Sequence, residues 1–165
     1  MTSDSSTPAG SAQPAAPRAQ PLAFQGAANA VVRTLLRTPL IGAAMGGRLI
    51  TLYLVGRKSG RHYQIPVAYT RDGKDLLIGT PFGWGKNLRT GEPIDILLKG
   101  RRRAADVQVI SDEAGVTAHY ALMARDNRQF AKFNKIGFDA SGNPDPADLR
   151  ASWAAGARGF RLTPR

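Results

Sequence analysis

The sequence predicts an α+β fold built on about six mostly antiparallel strands with flanking helices. Three observations carry this. A near-continuous apolar run, Leu49 to Val55, is followed by a glycine-bounded turn and an alternating stretch, His62 to Thr70, the pattern of paired strands. An Asp72-Gly73 step then returns the chain into Asp75 to Thr80, a hairpin signal. Beyond Ser111 the apolar spacing changes to the helical period, with Val116, Tyr120 and Met123 on one face. The chain has 165 residues, 42% of them hydrophobic, enough for one domain with a core of its own.

Residues 1–25 are rich in Ala, Pro, Ser, Thr and Gln and are expected to be a disordered tail. They lack the basic start and apolar stretch of a signal peptide, so a cytoplasmic location is expected. The domain is expected to occupy residues 26–165. From about Ala27 the pattern is helical, with Val31, Leu35 and Leu36 on one face and Arg33 and Arg37 beside it, until Pro39 ends or kinks it. An apolar patch of Leu40, Ile41 and Met45 follows. The stretch is too short and too charged to span a bilayer. Packing on its own domain and peripheral contact with a membrane surface are its two readings.

Leu49 to Val55 is expected to be a strand inside the sheet. In the second strand Tyr63, Ile65, Val67 and Tyr69 alternate with His62, Gln64, Pro66 and Ala68. Pro66 there indicates an edge or a bulge. With Asp75 to Thr80 these form a strand–turn–strand–turn–strand meander. A glycine-rich loop with Trp84 leads into a short helix around Trp84 to Thr90. Glu92 to Lys99 and Arg103 to Ile110 are the fourth and fifth strands, joined by a hairpin crowded with Lys99, Arg101, Arg102 and Arg103. That hairpin reads as a solvated tip or as an extension of an anion-binding surface. Helices are expected over about Asp112 to Ala124, Asn127 to Ile136 and Pro146 to Trp153, with a closing strand from Gly159 to Thr163. No internal repeat is visible.

Net charge is +11, which calls for an anionic partner: nucleic acid, a membrane surface or a phosphorylated cofactor. The absence of cysteine excludes disulfides, a catalytic thiol and thiolate-bound metals. His62 and His119 are the two histidines and lie far apart in sequence, so no metal cluster is expected. The most pointed stretch is Gly56-Arg57-Lys58-Ser59-Gly60-Arg61, three cations and two glycines in six residues. Its glycines permit backbone N–H groups to converge on an anion, and its cations add charge-assisted hydrogen bonds. A seat for phosphate or carboxylate is one reading and a solvated hairpin turn is the other. It is not a P-loop, because the lysine sits between the glycines and no helix follows a Gly-Lys-Ser/Thr end.

Gly56-Arg57-Lys58-Ser59-Gly60-Arg61, then Pro66-Val67-Ala68-Tyr69, Arg71-Asp72-Gly73, and Trp84 with Asn87-Leu88-Arg89, in this order and spacing, resemble the deazaflavin-dependent nitroreductases. That family belongs to the flavin/deazaflavin oxidoreductase superfamily and is found mainly in actinobacteria. The resemblance runs from about Ala30 to Glu113. It implies a split β-barrel binding coenzyme F420 in an open groove. The anionic tail of the cofactor would lie on Arg57, Lys58, Ser59, Gly60 and Arg61, with Pro66 and Val67 on the next strand. Thr80, Pro81, Phe82 and Gly83 would run along the ring, and Trp84, Asn87 and Leu88 would close the site. The loop before Trp84 is shorter than the family's. Where nitroreductase members carry pocket tyrosines on a late helix, the spacing gives Asn127, Phe130 and Phe133, the implied substrate pocket.

The resemblance further implies an oxidoreductase that passes hydride to a small organic acceptor such as a quinone, a nitroaromatic or an enone. The cofactor carries that chemistry, so no catalytic side chain and no metal is assigned. Alternatives are an FMN-, haem- or other ligand-binding split barrel without this activity, and a small basic nucleic-acid binder. The last fits poorly, because aromatics are not interleaved with the cations as a stacking surface needs. Nucleic acid is therefore not an expected partner, and the chain is expected to be a monomer or a homodimer.

Overall fold

A computed structural model describes residues 48–165. The expectations for the tail and for the helix near residue 27 lie outside these residues. The strands are β1 (Leu49–Val55), β2 (His62–Ala68), β3 (Thr70–Asp72), β4 (Asp75–Thr80), β5 (Ile94–Leu98), β6 (Arg101–Ile110) and β7 (Arg158–Pro164). A 3-10 helix (Gly83–Asn87) lies between β4 and β5. The helices are α1 (Glu113–Asp126), α2 (Arg128–Phe133) and α3 (Pro146–Ala154). The strands form one antiparallel sheet in the order β2-β1-β5-β6-β7-β4-β3, curled into a split barrel.

The two edges of that order belong to one stretch of chain. β2 pairs with β1 from Leu49↔Ala68 to Val55↔His62, and the Tyr69 N–H still donates to the Arg48 carbonyl (3.1 Å). One residue later Thr70 faces Leu77 on β4. The expected second strand therefore crosses from one edge to the other, which gives seven strands rather than about six. The crossing leaves a mark in burial: Tyr69 and Thr70 are both buried, although neighbours on a regular strand face opposite sides. The expected meander is accordingly two hairpins, β1–β2 and β3–β4, whose outer strands are not all neighbours. Pro66, opposite Thr51, sits on an edge strand as expected.

β5 and β6 meet in the two-residue turn Lys99-Gly100, both with positive φ (49° and 75°). That pair of left-handed residues matches the twist of the hairpin and starts β6 at Arg101, two residues before the expected position. The expected helix Asn127 to Ile136 is shorter at both ends: Asn127 caps it, its Oδ1 accepting from the Gln129 and Phe130 N–H groups at 3.0 and 3.2 Å, and it stops at Phe133, ahead of Lys135 at φ 57°.

Two hydrophobic layers result. Ile50, Leu52, Leu54, Ile65, Ile96, Phe160 and Leu162 fill the barrel. Leu77, Val116, Tyr120, Met123, Phe130 and Leu149 bind the helices to its outside. α1 comes close to the sheet where Gly79 and Gly159 face each other across β4 and β7. A Cβ on Gly79 would stand 2.8 Å from the Tyr120 ring, and one on Gly159 would stand 2.7 Å from the His119 ring. Among the described residues no helix is long and apolar enough to cross a membrane.

Candidate functional site

The end of β1 delivers the Gly56–Arg61 turn to one mouth of the barrel. The turn braces itself: the Gly56 N–H donates to the Arg61 carbonyl (2.8 Å) and the Gly60 N–H to the Gly56 carbonyl (2.7 Å). Gly60 has φ +65°, where a side chain would be strained. The Arg61 N–H donates to Ser59 Oγ (3.3 Å), which lies 3.4 Å from the Tyr63 hydroxyl. A Cβ on Gly56 would stand 2.6 Å from Ser59 Oγ and 2.8 Å from the Tyr63 ring, so a side chain there would have to displace both. Tyr63, in the alternating second strand, thus also borders the turn.

The second stretch starts from β4. The Phe82 N–H donates to Thr80 Oγ1 (3.0 Å), which turns the chain into the 3-10 helix. Gly85 is buried there, and a Cβ on it would stand 2.9 Å from Thr80 Cγ2 and 3.0 Å from the Phe160 ring. Leu88 is buried in the barrel core and Trp84 packs partly against it. The segment packs on the barrel core beside the basic turn.

The two stretches touch. The Arg57 N–H donates to Asn87 Oδ1 (3.1 Å) and Arg57 Nη1 to the Lys86 carbonyl (3.1 Å). Asn87 Nδ2 in turn donates to the Trp84 carbonyl (3.1 Å). This changes the picture of an N–H concavity. Within the turn the Gly56, Arg57, Gly60 and Arg61 N–H groups are spent inside the chain. The Lys58 and Ser59 N–H groups remain, with the exposed Lys58 and Arg61 side chains, for which no acidic partner exists among the described residues.

The other expected site residues divide. Pro81, Phe82 and Gly83 are exposed at the mouth, and Thr80 is buried with its hydroxyl engaged. Val67 packs against the barrel core, while Pro66 on the next position is half-buried on the edge strand. Phe133 (58% exposed) meets Phe82 (40% exposed) edge-on, with ring centroids 6.4 Å apart. Phe130 is not beside them in the open. It is 7% exposed and its ring packs on Tyr120 at 5.1 Å, so it belongs to the helical core. Asn127 spends its carbonyl on capping α2. Of the three expected pocket residues, Phe133 therefore reaches the mouth.

The Lys99–Arg103 hairpin lies at the opposite end of β1, since Leu98 pairs with Ile50. Val55 is five residues away, about 17 Å at strand rise. Arg102 is held by Asp95 (Nη2 to Oδ2, 2.8 Å) and lies over the Tyr53 ring at 4.2 Å. The hairpin does not extend the surface of the Gly56–Arg61 turn. A groove of about 610 Å³ between α1 and α3, lined by Ala114, Ala118, Ala121 and Leu149 among others, is also separate from it.

Sequence reading passed over the buried polar groups. His119 is 3% exposed, and its Nε2 donates to the Ile78 carbonyl at 2.9 Å. Burial holds its pKa below the ordinary histidine value. Burial pushes the Tyr120 hydroxyl up, beyond the usual phenol range. Asp75 accepts from Thr163 Oγ1 (2.7 Å) and Arg161 Nη1 (2.9 Å), and these bonds lower its pKa, the Thr163 bond most. These groups fasten elements together away from the mouth.

No family model and no curated protein matches the chain. Among solved structures, the chain is similar to the crystal structure of a conserved hypothetical protein, Rv2991, from Mycobacterium tuberculosis. Sequence identity is 10% and the TM-score is 0.46, over 79% of this chain and 82% of that one.

Proposed function

We propose that the chain binds a deazaflavin, coenzyme F420, at this mouth and passes hydride to a small organic acceptor: a quinone, a nitroaromatic or an enone. The observation that supports it is the contact between the two stretches on which the resemblance rests, the Arg57 N–H on Asn87 Oδ1. Residues separated by thirty positions meet where the reading needs one continuous surface.

The residues present suit a polyanionic tail. Lys58 and Arg61 are exposed cations, and the Ser59 N–H and Lys58 N–H have no partner among the described residues. Neither the Gly56–Arg61 turn nor the Gly83–Leu88 segment contains an acid. Lys58, Ser59 and Arg61 would hold the phosphate and oligoglutamate, and Pro81 to Trp84 would flank the ring. When bound, the cofactor supplies the hydride. The chain's own part is to bind and orient: charge at the turn fixes the tail, Trp84 and the buried Leu88 fix the wall of the mouth, and Phe82 with Phe133 offers an apolar surface for the acceptor. No side chain is assigned a proton-transfer role.

Titration with the purified cofactor tests this, followed by cofactor absorbance and tryptophan quenching. Saturable, salt-weakened binding is expected, with FMN as the competing flavin. Tight FMN binding without F420 binding, or salt-sensitive DNA or RNA binding without either, would overturn it.

A further inference from the structure

We propose that Asn87 is a positioning residue that couples the anion seat to Trp84. The inference rests on the reading of the Gly56–Arg61 turn as an anion seat. A carboxamide oxygen has two lone pairs and its nitrogen two N–H groups, and here one of each is engaged by the chain itself. Oδ1 takes the Arg57 N–H at 3.1 Å and Nδ2 gives to the Trp84 carbonyl at 3.1 Å. The side chain is half-buried between them.

The two parts it joins are each held independently. The turn is closed by its own Gly56–Arg61 and Gly60–Gly56 hydrogen bonds. The Trp84 segment is seated by Gly85 against Phe160 and by Leu88 in the barrel core. Removal of the amide should leave both in place and cut the connection that ends on the Trp84 carbonyl, since the Arg57 guanidinium bond ends on Lys86. Arg57 adjoins Lys58, so an anion drawn to Lys58 and Arg61 shifts the backbone whose N–H Asn87 holds, and that shift reaches the Trp84 carbonyl. Arg57 shares the strut: its guanidinium donates to the Lys86 carbonyl, which leaves Lys58 and Arg61 as the side chains free to meet the anion.

The test uses inorganic triphosphate, which has no ring to touch Trp84. Trp84 and Trp153 are the tryptophans of the chain, so a Trp153→Phe background makes emission report Trp84 alone. Affinity is read by calorimetry and coupling by the emission change at saturation. In that background triphosphate is expected to bind and change the emission. Lys58→Ala should weaken binding by roughly tenfold, within the range for a lost charge-assisted contact, and keep the emission change at saturation. Asn87→Ala should weaken binding by less than about threefold, the scale of a minor neutral hydrogen bond, and lose the emission change. Hydrogen exchange at the Arg57 amide should quicken in that variant while the β1 amides keep their protection. Where the alanine variant does not fold, Asn87→Asp keeps the acceptor for Arg57 and removes the donor to Trp84, and it should also lose the emission change. Retention of the emission change in the folded Asn87 variants overturns the proposal. So does a loss of affinity on Asn87→Ala as large as that of Lys58→Ala. If the parent protein does not bind triphosphate, the anion-seat reading itself fails and the inference falls with it.

Discussion

Replacing Gly159 by alanine should destabilise the protein through one identifiable collision. The new Cβ would lie 2.7 Å from His119 Cδ2, 2.9 Å from Cγ and 3.1 Å from Nε2. Neither side can easily yield. β7 is paired with β4 on one side and β6 on the other, and His119 is tied to the Ile78 carbonyl at 2.9 Å. Overpacking of a filled interior costs about 1–3 kcal/mol. If the ring turns aside, a buried carbonyl loses its donor, a further cost of about 1–3 kcal/mol. Alanine recovers about 0.4–1 kcal/mol by restricting the unfolded chain. These terms span about 0 to 5.6 kcal/mol, and a net loss near the middle, about 3 kcal/mol, is expected, a large part of a typical 5–15 kcal/mol. Urea unfolding of the wild type, Gly159→Ala, His119→Ala and the double variant measures it. In the His119→Ala background the Gly159 substitution should become nearly neutral, a coupling of at least about 1 kcal/mol. An equal loss in both backgrounds, or a Gly159→Ala protein within about 0.5 kcal/mol of wild type, would refute the close approach as the cause.

Three further outcomes are expected. Lys58→Ala and Arg61→Ala should each weaken binding of the whole cofactor by about 5- to 150-fold and spare a ring fragment without the tail, whereas Trp84→Ala should weaken both. Dissociation constants for the two ligands decide this, and equal effects on both would remove the turn from the site. Burial lowers the His119 pKa, so the folded chain keeps the ring neutral while the unfolded chain takes up a proton near 6.5. Stability should then fall as pH drops below about 6.5, with a limiting slope of about 1.4 kcal/mol per pH unit, and His119→Gln should flatten that slope in unfolding curves taken across pH 4–8. The lowered pKa of Asp75, due first to Thr163 and then to Arg161, places a second loss below about pH 4, and Asp75→Asn should diminish it in the same measurement.

Much of the fold was legible because the signals were local. The β1 limits and the Asp75–Thr80 limits follow from an apolar run and from a glycine hairpin. The crossing at Tyr69–Thr70 was not, because a strand that changes partners keeps its alternating composition on both sides of the bend. Nor was the start of β6. Lys99 adopts φ 49°, a conformation that composition does not announce for a lysine. The glycine pair Gly79–Gly159 was invisible for another reason. Its meaning depends on strands eighty positions apart lying in register and on a helix set over them.

The candidate site shows the same division between composition and pairing. The sequence marks two basic turns of nearly equal charge, Gly56–Arg61 and Lys99–Arg103. The two glycines of the first already make it the sharper anion seat in the sequence. Pairing adds a second ground. Asp95 faces the second turn from across the ladder and takes Arg102 at 2.8 Å, and Tyr53 covers the same guanidinium. The first turn faces the Gly83–Leu88 segment, which has no acid, and its one engaged guanidinium goes to a neutral carbonyl. An exposed ion pair contributes little to stability, yet it removes a cation from the field a ligand meets. Among the described residues no acid offsets the cations of the first turn, while the charge of the opposite hairpin is reduced by a partner the sequence places only four residues before Lys99.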